Sequence, residues 1–355
     1  MKKVLYFCGT YCPSTGGAEI SAHNILKELR QEFGVDSLVL TDERFVNQSV
    51  NSKFEKIKMV GTNYDQRKEK LKETINSYKP DVILTQLLWS DVGLEIANEE
   101  HIKSILRVCK TPFQLDISKG SKYEPTNIIS VSEYTKEYLK LEHSRDSFVT
   151  NPSIDADRAY SPGYKYDNNY ILMFNNLVRK GAKIFAEIAT KLPNREFAVV
   201  PGWNILKNSE NFDPKIIGQL CESLRTPYNG QVPEMFSDFP KNVHILEPDF
   251  NVANIYAKTR LVCIPSLWDE TFGRVALESF ANGIPVLGSA VGGLQEQVQQ
   301  GGVLILDYKN SESWVKSINL LDDKLEYDKQ VQRGYQFIEN KHNQRDILNL
   351  IRNLL

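Results

Sequence analysis

The stretch Trp268 to Ser289, WDETFGRVALESFANGIPVLGS, follows the apolar run RLVCIPS and closes on another, IPVLGS. Between the two runs, Phe272, Val275, Ala276, Ser279 and Phe280 recur at helical spacing, which predicts a short helix over 272–281 that stops at Asn282-Gly283. The order is strand, loop, helix, strand. A helix that begins where a strand ends turns its unpaired backbone N–H groups, here Thr271 to Arg274, toward that end of the sheet. Such an end attracts phosphate, and Gly273 lets a ligand approach the backbone.

The same rhythm extends in both directions. Strand-like runs VLYF, VDSLVL, FEKIKMV, DVILTQ, SILRVC and NIISVS precede the linker TNPSIDADRAYSPGYKYDNNY (150–170). The runs YILMFNN, EFAVVPG, VHILEP, RLVCIPS, IPVLGS and GVLILD follow it. Continuous apolar runs separated by helical segments imply parallel sheets covered on both faces. Two such series give an α/β protein of two Rossmann-like domains, with ligands expected beyond the carboxyl ends of the strands, in a cleft between the domains. The polar stretch 203–240 reads as a surface insertion.

Composition limits the classes of function. The chain has 355 residues, 41% hydrophobic and 25% charged, with a net charge of −2. That balance suggests neither a nucleic-acid partner nor strong attraction to an anionic membrane. The five cysteines, Cys8, Cys12, Cys109, Cys221 and Cys263, have no metal-ligand spacing, and several lie in apolar runs, so a reducing cytoplasm is expected. No apolar run reaches the ~20 residues of a membrane span. The basic, apolar start MKKVLYFCGT lacks a small-residue cleavage site and reads as a first strand.

Two carboxylates flank the expected helix start. Glu278 can accept hydrogen bonds from the vicinal hydroxyls of a ribose, and Glu270 from hydroxyls of a sugar. Equally, Arg274 and Glu278 can form an exposed i,i+4 pair of ~0.3 kcal/mol, with Glu270 a first-turn acid favoured by the helix dipole. These residues by themselves leave both readings open.

The run Pro265 to Glu296, PSLWDETFGRVALESFANGIPVLGSAVGGLQE, closely resembles the signature of glycosyltransferase family 4, the retaining GT-B enzymes that use sugar nucleotides. The resemblance rests on Glu270, Phe272, Gly273 and Glu278, then Gly292, Gly293 and Glu296. It covers most of the second half and weakens to general pattern in the first. It implies that Glu278 binds the ribose of the donor, that Glu270 acts at the transferred sugar, and that the backbone at Thr271, Phe272 and Gly273 contacts the donor.

A second match is FNNLVRKGAKIFAEIATKLPNREFAVVPG (174–202), where the family's diphosphate-gripping lysine corresponds to Lys180. A fixed cation there can stabilise charge on the leaving phosphate oxygen. The family carries an arginine four or five residues before the lysine. This chain has Asn175 and Asn176 there, so Asn176 and Arg179 join Lys180 as candidate donor ligands. The loop in GTYCPSTGGAEISAHNILKELR (9–30) resembles the family's Gly-Gly-Ala-Glu loop, which puts Gly16 and Gly17 against the donor phosphate or acceptor, with a tight strand-to-helix turn capped by Glu19 as the alternative.

The chain also departs from the family. His23, His101, His143, His244 and His342 all lie away from the strand end where many relatives carry a cleft histidine, which leaves Trp89, Lys110 and Asp116 as weak candidates there. Asp155-Ala156-Asp157 resembles an Asp-x-Asp metal motif, but its place in the linker before a proline reads as turn capping, and no metal site is assigned.

The expectation is therefore a GT-B fold with domains 1–155, joined by a helix at 338–355, and 156–337. The expected activity is retaining hexosyl transfer from a UDP- or GDP-type nucleotide sugar to a sugar, lipid-linked or small-molecule acceptor in glycan or polysaccharide biosynthesis. It needs no cofactor, and membrane contact is at most peripheral. The alternatives are a noncatalytic nucleotide-sugar-binding subunit, or a nucleotide-sugar epimerase or phosphorylase of the same fold.

Overall fold

The central apolar runs become strands because both of their faces find cover. Along β1 (Lys3–Phe7), Val4 and Tyr6 enter one core cluster while Leu5 and Phe7 enter another. Alternation with both sides buried is what a central parallel strand requires. The computed structural model describes residues 2–12, 16–48, 57–111, 124–202, 234–249, 251–341 and 344–355. Most of the expected insertion at 203–240, together with Asp116, Cys221 and His342, lies outside the described residues.

The chain divides into two compact units, Met1–Asp155 with His342–Leu355, and Ala156–Lys341. In the first, β1 is followed by α1 (Gly17–Phe33), β2 (Asp36–Asp42), α2 (Glu43–Gln48), β3 (Lys58–Thr62), α3 (Arg67–Tyr78), β4 (Val82–Gln86) and α4 (Ser90–Glu99). Then come β5 (Lys103–Val108), β6 (Asn127–Ser130), α5 (Glu133–His143) and β7 (Phe148–Val149). All pair in parallel in the order β3-β2-β1-β4-β5-β6-β7. The two-residue edge strand β7 is an addition to the runs read from the sequence.

The second unit opens with α6 (Ala156–Ala159), then β8 (Tyr170–Phe174), a 3-10 turn (Val178–Lys180), α7 (Ala182–Lys191), β9 (Phe197–Val200), β10 (Val243–Ile245) and α8 (Ala253–Tyr256). It continues with β11 (Thr259–Ile264), α9 (Arg274–Ala281), β12 (Val286–Ser289), α10 (Leu294–Gly301), β13 (Val303–Ile305), α11 (Ser311–Leu320) and α12 (Lys324–Lys341). The sheet order is β10-β9-β8-β11-β12-β13, again parallel. On α7, Ala182, Phe185, Ile188 and Ala189 share one face and pack on the sheet, with the Phe185 and Phe197 rings edge to face at 5.4 Å. A last helix, α13 (Gln344–Leu354), returns to the first unit, where Leu348, Ile351, Leu354 and Leu355 join the core beside Ile25, Leu26 and Leu29 of α1.

One buried acid in α1 carries a pH signature. Glu28 is 9% exposed, and burial pushes its carboxyl up to about 7, against a hydrogen bond with Ser153 and with help from Asp155. The folded state then holds a proton that the unfolded chain releases above about pH 4.3. Folding stability falls as pH rises from there to about 7, by roughly 3–4 kcal/mol. Glu28→Gln removes this penalty. Its melting temperature relative to the parent is expected to climb between pH 4 and pH 8, and a pH-independent difference would contradict the assignment.

Candidate functional site

The second sheet reverses direction at β8: β9 lies on one side and β11 on the other. Open parallel sheets bind ligands at such a switch point, outside the carboxyl ends of the strands. Three loops meet there, after β8, β11 and β12.

The loop after β8 turns through Asn175, a non-glycine residue at φ 74°, whose Oδ1 accepts from the Leu177 amide at 3.2 Å. The 3-10 turn then carries Arg179 and Lys180, and Gly181 at φ 86° starts α7. A Cβ on Gly181 would lie 1.8 Å from the Pro265 carbonyl oxygen, so this loop rides directly on the backbone after β11. The Leu267 amide donates to the Arg179 carbonyl at 2.9 Å, and the Arg179 guanidinium stacks over Trp268 at 4.7 Å. The ride brings two of the candidates together. Lys180 Nζ is 2.5 Å from Glu270 Oε1, and Ser266 Oγ donates to the same oxygen at 3.0 Å. Both side chains of the pair are partly exposed, the lysine more than the acid.

The loop after β12 holds Glu270 from behind. Gly292 has φ 48°, and a Cβ there would lie 2.4 Å from the Glu270 carbonyl oxygen, while the Gly293 amide donates to that oxygen at 2.6 Å. Glu296, three residues on, lies in the first turn of α10. Gln297 Nε2 in α10 bonds the Phe272 carbonyl. The two glycines act through close backbone approach.

The helix itself begins later than the spacing suggests. Gly273 takes φ 97°, so α9 starts at Arg274, and Phe272 is a buried loop residue. The exposed-pair alternative for Arg274 and Glu278 is also corrected. Glu278 is 6% exposed, and its Oε1 accepts from Arg274 at 2.6 Å and from Arg158 at 3.0 Å. Its Oε2 accepts from the Tyr256 hydroxyl at 2.9 Å. Burial acts to raise the carboxyl, but the two guanidinium groups and the hydrogen bonds outweigh it and hold it below the usual range. Burial, with the Glu278 charge adding, pushes the Tyr256 hydroxyl well up. Neither Arg158, in α6, nor Tyr256, at the end of α8, carries a local sequence signal linking it to Glu278.

The remaining candidates are placed as follows. Asn176 is buried, and its amide nitrogen donates to the Phe236 carbonyl at 2.8 Å, which commits it to the segment after 233. Thr271 lies in the loop ahead of Gly273. Gly16 and Gly17 belong to the first unit, where they open α1 at the carboxyl end of β1. A Cβ on Gly16 would fall 2.1 Å from Glu19 Oε2, because Glu19 folds back over the turn and accepts from Thr10 Oγ1 at 2.7 Å. Trp89 is buried at φ 73° against Phe7, and Lys110 follows β5. His23 is buried and bonded to the Tyr11 hydroxyl at 2.9 Å. Asp155 pairs with Lys27 at 3.5 Å, and no group of three or more metal-binding side chains occurs among the described residues. Among those residues no helix is long and apolar enough to cross a membrane.

Residues 238–337 match the family model of Glycosyl transferases group 1. A D-inositol 3-phosphate glycosyltransferase of Corynebacterium aurimucosum is 38% identical over 78 residues, which are 21% of this chain and 18% of that protein. The matched segment thus spans about a fifth of the curated relative. Over the whole chain, Anabaena HepE, whose structure is in complex with UDP and glucose, superposes with a TM-score of 0.76 at 16% identity, covering 99% of both chains. A UDP-GlcNAc 2-epimerase from Neisseria meningitidis, bound to UDP-GlcNAc, gives 0.60 at 18% identity over 99% of both. The fold is the two-domain α/β GT-B fold.

Proposed function

We propose that this chain transfers a glycosyl group from a nucleoside-diphosphate sugar to an acceptor hydroxyl with retention of configuration. The observation that carries the reading is the Lys180–Glu270 pair, at 2.5 Å, held at the switch point by three glycine-bearing loops. The glycosyl-transferase segment at 238–337 contains Glu270 and Glu278 and supports the same assignment.

Cleavage of the sugar–phosphate bond leaves negative charge on the diphosphate. Lys180, with Arg179 beside it, supplies positive charge where that oxygen develops, so the reaction proceeds without a metal ion or other cofactor. Glu270 accepts hydrogen bonds from hydroxyls of the transferred sugar, and Glu278 from the ribose. The acceptor hydroxyl attacks from the face the leaving group departs and gives its proton to the leaving phosphate oxygen. The complexes of HepE favour UDP as the donor nucleotide, and the context of the reaction in this reading is glycan biosynthesis.

Purified protein is incubated with labelled UDP-, GDP- and ADP-sugars and an acceptor panel, with and without chelator, and the anomeric configuration of product is read by NMR. Retained-configuration product that survives chelator is expected. Inverted product, or activity lost with chelator, would sink the corresponding part of the reading. Conversion of the nucleotide sugar to an isomer without any acceptor would identify an epimerase of the same fold.

The ion pair also makes a binding prediction. Before donor arrives, Glu270 occupies the cation that the diphosphate needs, so Glu270→Gln releases Lys180. Its affinity for UDP is expected to rise by about fivefold, the scale of one partly exposed ion pair. Weaker UDP binding in this variant, measured by calorimetry, would show that Glu270 does not compete with phosphate.

A further inference from the structure

The carboxylate of Glu278 is more occupied than a residue reading a vicinal diol should be. An ionised carboxylate offers about four acceptor positions, two on each oxygen. Both positions on Oε1 are filled by guanidinium groups, Arg274 at 2.6 Å and Arg158 at 3.0 Å. One position on Oε2 is filled by the Tyr256 hydroxyl at 2.9 Å. None of these partners is a loosely held surface group. Arg158 is 6% exposed, Tyr256 is fully buried, and the Arg274 side chain is 10% exposed. Replacing any of them by a ribose hydroxyl would leave a buried donor unsatisfied, which costs more than the new hydrogen bond returns.

We infer that Glu278 presents the donor with a single acceptor position, on Oε2, and therefore reads one hydroxyl of the ribose and is indifferent to its neighbour. The inference rests on the proposed placement of the ribose at Glu278 and sharpens it into a specificity rule. Arg158 and Arg274 are positioning residues: both bond Oε1 and leave Oε2 to Tyr256 and the donor. Tyr256 is the residue that limits Oε2 to one bond. The ligand class is a nucleoside diphosphate carrying one of its two ribose hydroxyls in the recognised position.

The test uses the intact chain and calorimetric titration with UDP, 2′-deoxy-UDP and 3′-deoxy-UDP. In the native protein one deoxy analogue is expected to bind about tenfold or more weakly than UDP, as loss of a hydrogen bond to a charged group implies, while the other stays within about twofold. Tyr256→Phe opens the second position on Oε2, and in that variant both deoxy analogues are expected to fall behind UDP. A structural role for Tyr256 would instead shift all three ligands together. Equal loss for the two deoxy analogues in the native protein would overturn the single-hydroxyl rule while leaving the nucleotide site intact. Equal binding of all three would overturn it too and take Glu278 off the ribose. The absence of binding by UDP, and by GDP assayed alongside, would overturn the proposed function itself. The native-protein comparison needs no variant, so misfolding of Tyr256→Phe cannot shelter the inference.

Discussion

Lys180→Ala is expected to lower kcat for glycosyl transfer by about 100- to 1000-fold, the usual loss when one fixed donor to a developing oxyanion is removed. The fold should survive. Lys180 sits in a short 3-10 turn with part of its side chain in solvent, and Glu270 keeps Ser266 as a hydrogen-bond partner. The stability cost is that of a partly exposed ion pair, about 1 kcal/mol or less. Lys180→Arg should recover a measurable part of the activity because it restores charge but not shape. If the alanine variant kept more than a fifth of native kcat with the same nucleotide affinity, the leaving-group charge would be met elsewhere and the proposed mechanism would be wrong.

Glu278→Ala should act first on stability. It leaves two guanidinium groups, Arg158 and Arg274, buried beside each other without their shared counter-charge. Breaking a buried pair in this way costs about 3–5 kcal/mol. For a unit of this size that lowers the melting temperature by roughly 10 °C. The effect has a pH dependence of definite sign. Burial opposes the charged form of Glu278, but Arg274, Arg158 and Tyr256 prevail and depress its folded pKa. Its contribution is therefore complete above the ordinary value near 4.3 and is lost as pH falls below that value through the depressed one. Acid should destabilise the native protein more steeply than Glu278→Gln in that window. A melting temperature for Glu278→Ala within 2 °C of native would show that the two arginines are not held by this carboxylate. Loss of activity in the alanine variant, taken without a melting curve, would not separate recognition from unfolding.

The sheets were legible because apolar runs in a doubly covered sheet need no partner to be recognised: VLYF and LVCIP look buried wherever they are. Phe148–Val149 was not, since a two-residue edge strand has no periodicity to detect. The start of α9 was misplaced by two residues because the spacing counts Phe272 as helical, while φ 97° at Gly273 forbids it. At the site, the approach of Lys180 to Glu270 spans 90 positions, and its only trace in the sequence is the family resemblance. The Glu278 network was the least visible. Its nearest member, Arg274, was noticed as an i,i+4 pair, but whether such a pair is exposed or buried depends on Arg158 and Tyr256, 120 and 22 positions away.

The helix α13 has a consequence for how the protein is made. Leu348, Ile351, Leu354 and Leu355 complete the core against α1, yet all of Ala156–Lys341 is translated between the two halves of that core. At ordinary elongation rates the interval is about 10–40 s, long compared with the folding of a small domain. At its end, Ile25, Leu26 and Leu29 still lack the part of their core that α13 supplies, while the six strands described for the second sheet have all been made. Vectorial synthesis thus favours the second unit as the first to reach its native state, and leaves the first as the natural client for a chaperone until α13 emerges.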